Sequence, residues 1–195
     1  MKTVLKFIAV ILLTMSAEML YIRTAEHEEV SSVHAEKKTA EREEIKKIKY
    51  YDIPLETELQ DYIRKECDEM NVDMELVLAI IKVESDFNSD VISDTNDYGL
   101  MQINIVNHES LQKKLSIYDF LDPYDSARAG IYMMSGLDWC ENDNQLLMCY
   151  NMGVTGAKRA WNKGIRETEY SKKVLQAKQE IKNKAYEVLV LQNQK

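Results

Sequence analysis

Glycine and proline are scarce in this sequence. The chain has 6 Gly and 2 Pro in 195 residues, whereas these two residue types make up roughly 12% of average protein sequences. All-β sandwiches and barrels need a turn rich in Gly or Pro about every 8–12 residues, and this chain does not supply them. The same counts exclude collagen-like repeats and Gly/Ser linkers. The scarcity therefore predicts long helices joined by few sharp turns.

Cysteine, histidine and net positive charge are also limited. The three Cys have no CxxC spacing and only three His accompany them, so we predict no zinc site and no other cofactor. The net charge of −8 argues against nucleic acid as the main partner, because phosphate binding requires a basic surface. The hydrophobic content of 45% and charged content of 30% are typical of a folded domain, and the length predicts one domain with additional segments.

The N-terminal segment has the pattern of an export signal or a membrane anchor. Lys2 and Lys6 stand before and at the start of an apolar run, and a short basic region followed by about 7–15 apolar residues is typical of secretory signals. Glu18 interrupts the run before apolar residues resume, so a cleaved signal and an anchor both remain open. Cleavage would follow Ala17 or Ala35. We expect the protein to be exported.

The rest of the chain divides by composition. From 26 to 49, charged residues of both signs occur with few large apolar ones, which is typical of a solvated linker or a loosely helical stalk. From Pro54 onward, apolar residues recur at helical spacing. We therefore divide the chain into a signal or anchor (1–25), a charged linker (26–52), a mainly α domain (53–178) and a C-terminal helical extension (179–195).

Six stretches of the sequence show helical spacing of apolar residues. They are 55–70, 74–85, 124–139, 144–151, 154–161 and 168–191. Asn71 breaks the first pattern, and Asp73 is placed to cap the second helix. Residues 85–98 form the longest polar stretch inside the domain, and long loops in compact domains often carry function. Because no stretch shows sustained period-two alternation, the domain is predicted to be mainly α.

Glu84 occupies a position that the helical pattern assigns to the core. Counting three, four and seven residues on from Val77 reaches Ile80, Ile81 and then Glu84. Burial disfavours the charged form of a carboxylate and raises its pKa, and protonation of a glycosidic oxygen requires such an acid. Spacing alone favours a plainer alternative, in which Glu84 frays at the helix end or pairs with Lys or Arg, since 33 acidic residues offer many coincidences.

Four segments, taken in order, resemble the catalytic region of the SLT-type lytic transglycosylases, which are relatives of goose-type lysozyme. They are Glu84-Ser85 with the polar loop and residues 99–103 (GLMQI), residues 121–130 (LDP and RAG), residues 149–157 (CYNMGVTGA) and residues 167–170 (ETEY). The resemblance covers roughly residues 55–178. It implies a lysozyme-like helical domain with a catalytic cleft.

The resemblance implies one catalytic residue and a set of substrate-binding residues. Glu84 would be the sole acid and base. The implied substrate-binding residues are Ser85, Met101, Gln102, Tyr150, Asn151 and Tyr170. Ser85 would steady the site or contact the glycan. The plainer alternatives are that Met101 belongs to the core and that Tyr170 is a packing aromatic. An amide such as Gln102 offers a donor and an acceptor together.

The sequence departs from the family pattern at a few positions. Cys149 and Met152 stand where the family has small residues, and the element that ends at Tyr170 is one residue short. Asn104 stands where goose-type lysozymes tend to carry Asp. An odd number of Cys in an exported protein implies at least one free thiol, and the sequence leaves open whether Cys140 pairs with Cys149.

The resemblance implies an exported peptidoglycan lytic transglycosylase. It would cleave the β-1,4 bond between N-acetylmuramic acid and N-acetylglucosamine, leave 1,6-anhydro ends and act at the cell wall, either secreted or membrane-anchored. Peptidoglycan glycan strands are the implied partner, and a membrane-spanning secretion or conjugation apparatus is a further one. Two alternatives stay open. One is a lysozyme-like hydrolase, for which Asp97 is a candidate second carboxylate along with Asp86, Asp90 and Asp94. The other is a catalytically weak glycan-binding or assembly module.

Overall fold

The computed structural model describes residues 44–192, and the predicted signal or anchor segment lies outside this range. The helices in this range are α1 (Thr57–Met70), α2 (Met74–Ser85), α3 (Ile105–Leu115), α4 (Pro123–Ser135), α5 (Asp143–Asn162) and α6 (Glu169–Asn183). The strands are β1 (Glu44–Tyr51), β2 (Asp97–Tyr98), β3 (Ile103–Asn104) and β4 (Ala185–Gln192). The prediction of a mainly α domain is confirmed. None of the helices between residues 44 and 192 is long and apolar enough to cross a membrane.

The chain divides into two compact units. One is Ile48–Val188, and, of the described residues, 44–47 and 189–192 belong to the other. The first unit contains all six helices. Its core is formed where α2 packs against α6 and where α1 packs against α4.

Helix α2 begins and ends where the sequence predicts. The side chain of Asp73 accepts hydrogen bonds from the backbone N–H groups of Glu75 and Leu76, which are otherwise unpaired at a helix start. The helix ends at Ser85 because Asp86 adopts a left-handed backbone with φ of 50°. Between these ends, residues 76–81 are at most 2% exposed. Helix α2 is therefore buried on every side there.

One buried cation ties three helices together near the start of α2. The Nζ atom of Lys178 in α6 lies 2.7 Å from a carboxylate oxygen of Asp73 and 2.7 Å from one of Asp143. Asp73 caps α2 and Asp143 opens α5. Because the Lys178 side chain is only 12% exposed, this ion pair is screened less than a surface pair.

Helix α3 is not among the helices predicted from the sequence. Its N-cap is Asn104, whose side chain accepts a hydrogen bond from the N–H of Val106. Only Leu111 and Leu115 of its 11 residues are buried, and Val106 is 80% exposed. Two buried residues are too few to produce a recognisable apolar stripe, so the pattern did not indicate this helix.

The end of the predicted linker and part of the predicted C-terminal helix are β-strands in the structure. Residues 44–51 form β1 and residues 185–192 form β4, and the two strands pair in one sheet. Tyr50 and Tyr51 are only 7% and 3% exposed, so this part of the predicted linker is packed. The backbone N–H of Asp52 donates to the carbonyl of Lys184 at 3.0 Å. Because the two strands are more than 100 residues apart in the sequence, no hairpin turn predicts that they pair.

Glycine interrupts α5 in its middle. The sequence predicts two helices, 144–151 and 154–161, and the structure has one helical element that is broken at Gly153. Gly153 has φ of 71° and ψ of 159°, a backbone conformation that only glycine adopts without a steric penalty. The break comes two residues after Asn151, so it ends the helical turn that carries Tyr150 and Asn151.

The polar loop after α2 is held by a short antiparallel pair. Strands β2 and β3 pair Asp97 with Asn104 and Tyr98 with Ile103. Gly99 begins the turn between them with φ of 71°, and a Cβ built there would lie 2.0 Å from the carbonyl oxygen of Phe120. A glycine is therefore required at this position on both conformational and steric grounds.

Candidate active site

Glu84 lies on the last turn of α2 and meets Tyr170 from α6. The Tyr170 hydroxyl donates a 2.6 Å hydrogen bond to Oε1 of Glu84. Thr168 and Ser171 exchange the two hydrogen bonds of a capping box, which fixes the first turn of α6 where Tyr170 stands. The packing of α2 on α6 thus brings together two residues that are 86 positions apart.

Burial sets the acidity of Glu84. Loss of hydration raises its pKa to about 6, the hydrogen bond from Tyr170 opposes this rise, and the negative charge of Asp97 adds to it. A carboxyl group with a pKa near 6 can donate a proton and later accept one near neutral pH. Burial, followed by the charge of Glu84, also raises the pKa of Tyr170, so the phenol stays a hydrogen-bond donor.

Tyr150 connects α5 to the loop after α2. Its hydroxyl donates a 2.9 Å hydrogen bond to the backbone carbonyl of Met101. Burial, with the charges of Glu84 and Asp97, raises the pKa of Tyr150 well above its usual value. Tyr150 is therefore a neutral donor that fixes one wall of the site.

Gln102 braces the loop and leaves one polar atom for a ligand. It has a left-handed backbone with φ of 48°. Its Nε2 atom donates to the carbonyl oxygens of Val91 (3.1 Å) and Gly99 (2.9 Å). Since an amide nitrogen has two N–H donors, both are used by the loop. The oxygen Oε1 remains to accept a hydrogen bond from a ligand.

A polar pocket opens beside the carboxylate of Glu84. Its lining residues are Glu84, Asp97, Gln102, Asn104, Asn107, Met133, Tyr150 and Asn151. Two carboxylates, four carboxamides and a phenol line it, and no basic residue is among the described residues that do so. Such a set of donors and acceptors matches the hydroxyl and acetamido groups of an uncharged sugar.

The structure brings some of the predicted site residues together and places others in the core. Gln102, Tyr150 and Asn151 line the pocket with Glu84, and Tyr170 contacts Glu84 directly.

Ser85 and Met101 are not among the lining residues of the pocket. The Ser85 hydroxyl lies within hydrogen-bonding distance of the carbonyls of Ile81 (3.1 Å) and Leu100 (2.9 Å), so Ser85 joins the loop to α2. The Met101 side chain is 0% exposed and packs against Gly130, where a Cβ would lie 2.2 Å from its Sδ atom. Met101 contacts a pocket residue through its backbone carbonyl, which accepts the hydrogen bond from the Tyr150 hydroxyl.

Asp97 places a second carboxylate in the pocket. Its oxygens accept hydrogen bonds from Ser93 (2.7 Å), Thr95 and Asn104 (2.8 Å). Burial raises the pKa of Asp97, but the three hydrogen bonds outweigh it and the pKa is lowered overall. The pKa values of the two carboxyl groups are therefore shifted in opposite directions, with Asp97 ionised and Glu84 near its point of titration.

Sequence reasoning missed Asn107 and Met133 as lining residues. Asn107 lies on α3, whose apolar pattern was too sparse to indicate a helix, so its orientation toward the pocket had no local signal. Met133 lies on α4, within a predicted helix, where an apolar residue is most simply assigned to the core. Only the packing of α3 and α4 around the loop reveals that both face the pocket.

A helical domain that presents a half-buried, protonatable carboxylate to an amide-lined pocket has the groups that cleavage of a glycosidic bond requires. Residues 61–174 match the family described as the transglycosylase SLT domain, and this match covers more than half of the chain. The chain belongs to the SLT transglycosylase domain family.

Solved structures with the same fold include two lytic transglycosylases. One is an inactive mutant of the lytic transglycosylase Slt from Pseudomonas aeruginosa, with a TM-score of 0.53 and 20% identity over 61% of this chain. The other is the 70 kDa soluble lytic transglycosylase from Escherichia coli, with a TM-score of 0.52 and 23% identity over 60% of this chain. The match spans only 23% of the length of either protein, and at these identities it shows the fold alone.

Proposed function

We propose that the protein is an exported peptidoglycan lytic transglycosylase in which Glu84 acts first as acid and then as base. The observation that carries the proposal is the half-buried Glu84 carboxyl, with a pKa raised to about 6, in the polar pocket. Membership of the SLT family supports this choice. Export rests on the basic and apolar pattern before residue 25.

The first step would be proton donation. Protonated Glu84 gives its proton to the oxygen that bridges N-acetylmuramic acid and N-acetylglucosamine, and the bond from that oxygen to the anomeric carbon breaks. The acetamido oxygen of the substrate stabilises the positive charge that develops on the sugar. The raised pKa keeps Glu84 protonated in a useful fraction of molecules near neutral pH.

The second step would return the proton to Glu84. The ionised carboxylate takes the proton of the C6 hydroxyl, and the C6 oxygen attacks the anomeric carbon to close a 1,6-anhydro ring. No water is consumed, and Glu84 ends protonated as it began. The hydrogen bond from Tyr170 stabilises Glu84 in its charged form between the two steps.

Digestion of purified peptidoglycan with mass spectrometry of the fragments tests the proposal. The wild-type protein is expected to release fragments with anhydro ends. Glu84→Gln should reduce the rate by at least about 100-fold, because general acid–base catalysis contributes that much. Glu109→Gln is the matched control, since Glu109 is 82% exposed on α3. Full activity of Glu84→Gln would refute the assignment of Glu84.

A lysozyme-like hydrolase is a second candidate because Asp97 lines the same pocket as Glu84 and has a lowered pKa. Glycosidases that use two carboxyl groups pair an acid with a base or nucleophile. Hydrolysis would leave reducing ends, and heavy-oxygen water would label them. In that case Asp97→Asn should abolish product. A transglycosylase would instead give unlabelled anhydro ends and keep measurable activity in Asp97→Asn.

A glycan-binding module without catalysis would bind the same wall preparation and release no fragments. Attachment to a secretion or conjugation apparatus would be a further property of an active or inactive protein. The digestion experiment separates the enzyme from the binding module, because only the enzyme releases fragments.

A further inference from the structure

Two cysteines meet in a small apolar cluster beside the pocket. This satellite cluster is separate from the main core and consists of Met148, Cys149 and Ala157, with Leu137, Cys140, Ala160 and Trp161 packed on it. Cys140 lies in the connection between α4 and α5, and Cys149 lies inside α5. Cys149 immediately precedes Tyr150 and Asn151, which line the pocket.

The two thiols in the satellite cluster interact with each other. Burial, followed by the neighbouring Cys149, raises the pKa of Cys140 to about 12. Burial also raises the pKa of Cys149, while Cys140 and Lys158 oppose that rise. The Nζ atom of Lys158 lies 5.8 Å from the centre of the Trp139 ring. Because Trp139 immediately precedes Cys140, the charge of Lys158 lies near the segment that contains Cys140.

The third cysteine has a different environment. Cys67 lies in the main core and is 1% exposed. Burial raises the pKa of Cys67 to about 12, and nearby carboxylates reinforce the effect. A thiol buried in apolar surroundings is inert, and at 1% exposure Cys67 is closed to an oxidant that can reach the half-buried Cys140.

We propose that Cys140 and Cys149 form an intramolecular disulfide in the presence of a disulfide oxidant, and that Cys67 stays a thiol. The cross-link would join the connection between α4 and α5 to the turn of α5 that carries Tyr150 and Asn151. It closes a loop of about ten residues, which constrains the unfolded chain. In the folded state it fixes one wall of the pocket.

The reaction is a thiol–disulfide exchange with a small disulfide such as oxidised glutathione. Cys140, which is more exposed than Cys149, attacks one sulfur of the oxidant as a thiolate, and the other oxidant sulfur leaves as a thiol. The Cys149 thiolate then attacks the mixed disulfide at Cys140 and releases the second oxidant thiol. One disulfide bond breaks in the oxidant, one forms in the protein, and the two protons pass to the two departing sulfurs.

The test treats the full chain with oxidised glutathione, unfolds it in acid-quenched denaturant and counts thiols. The reduced protein has three thiols, and the oxidised protein is expected to have one, with a mass lower by about 2 Da. Peptide mapping should recover a single fragment pair that joins Cys140 to Cys149. Three remaining thiols, a stable glutathione adduct on Cys140 or a link between two chains would overturn the proposal.

Thermal unfolding provides a second measurement. Oxidation of the wild-type protein is expected to raise its Tm by about 5 °C, and a reductant should reverse the rise. Cys149→Ala and Cys140→Ser should show no rise, whereas Cys67→Ala should show the same rise as wild type. A cross-link that leaves Tm unchanged, or a rise that persists in Cys149→Ala, would show that the disulfide does not fix this part of the fold.

Discussion

Tyr170 donates a 2.6 Å hydrogen bond to the Glu84 carboxylate across the contact between α2 and α6. This bond opposes the effect of burial on Glu84, because it stabilises the charged form while burial penalises it. The net result is a pKa of about 6, between that of an exposed Glu and that of a fully buried one. The acidity of the proposed catalytic group therefore depends on a residue from the last helix of the domain.

Removal of the Tyr170 hydroxyl is expected to change the pH profile of the proposed reaction. In Tyr170→Phe the pKa of Glu84 should rise above about 6, because the charged form loses its hydrogen bond. Since the first step needs protonated Glu84, the alkaline limb of kcat/KM should move to higher pH. The maximum rate should fall roughly 10-fold, as the ionised form between the two steps loses a charge-assisted bond.

Fragment release from peptidoglycan, measured between about pH 4 and pH 9, checks this expectation. Tyr118→Phe is the matched control, because Tyr118 is 78% exposed and should give the wild-type profile. An alkaline limb that stays in place in Tyr170→Phe would mean that Tyr170 does not set the acidity of Glu84.

Burial of Glu84 is also expected to appear in the pH dependence of stability. The pKa of Glu84 is about 6 in the folded protein, against an ordinary value of 4.5 for this side chain. The stability associated with protonated Glu84 is therefore complete below about pH 4.5 and is lost as the pH rises through 6. A difference of this size corresponds to about 2 kcal/mol in the free energy of unfolding.

Urea unfolding of wild type and Glu84→Gln at two pH values isolates this contribution. The variant keeps an oxygen that can accept from Tyr170 but never ionises. It should gain about 2 kcal/mol relative to wild type between pH 4.5 and pH 8. An equal stability difference at both pH values would show that Glu84 titrates as it does in the unfolded chain.

Much of this fold and part of the candidate site can be predicted from local patterns in the sequence. Helical spacing placed Glu84 on the buried face of α2, and the capping role of Asp73 follows from its chemistry. The pairing of β1 with β4 and the position of Asn107 depend on contacts between distant segments, which local spacing does not encode. The side chain of Met101 belongs to the core because of its fit against Gly130, a matter of packing that residue type does not reveal.

Gly130 in α4 and Gly136, the residue that follows this helix, offer a test of that packing. A Cβ at Gly130 would lie 2.2 Å from Sδ of Met101, whereas a Cβ at Gly136 would have its nearest neighbour at 3.6 Å. Gly130→Ala should therefore destabilise the protein by about 1–3 kcal/mol through overpacking. Gly136→Ala, with an ordinary φ of −74°, should be neutral or slightly stabilising.

The free energy of unfolding in urea distinguishes the two glycine variants. Because the Met101 carbonyl accepts the Tyr150 hydrogen bond, displacement of Met101 should also reduce fragment release in Gly130→Ala. Equal stability of the two variants would indicate that Met101 moves aside without cost.

The buried cation of α6 is expected to contribute to stability far more than a surface lysine. Lys178 is 12% exposed and is shared by Asp73 and Asp143. In Lys178→Met the two carboxylates would lose their common partner and repel each other. Because they are 39% and 41% exposed, solvent offsets part of this loss, and the change should cost about 1–2 kcal/mol. Lys113→Met is the matched control, because Lys113 is 74% exposed and pairs only with Glu109, and its loss should cost less than about 0.5 kcal/mol.

Salt separates the two lysine variants further. Surface pairs are screened at high ionic strength while partly buried pairs are screened much less, so the stability deficit of Lys178→Met should persist at about 1 M NaCl. A deficit that disappears at that concentration would place the interaction of Lys178 at the surface. Because Asp73 also caps α2, a persistent deficit would mean that the helix carrying Glu84 is held at its far end by a charge that is largely shielded from solvent.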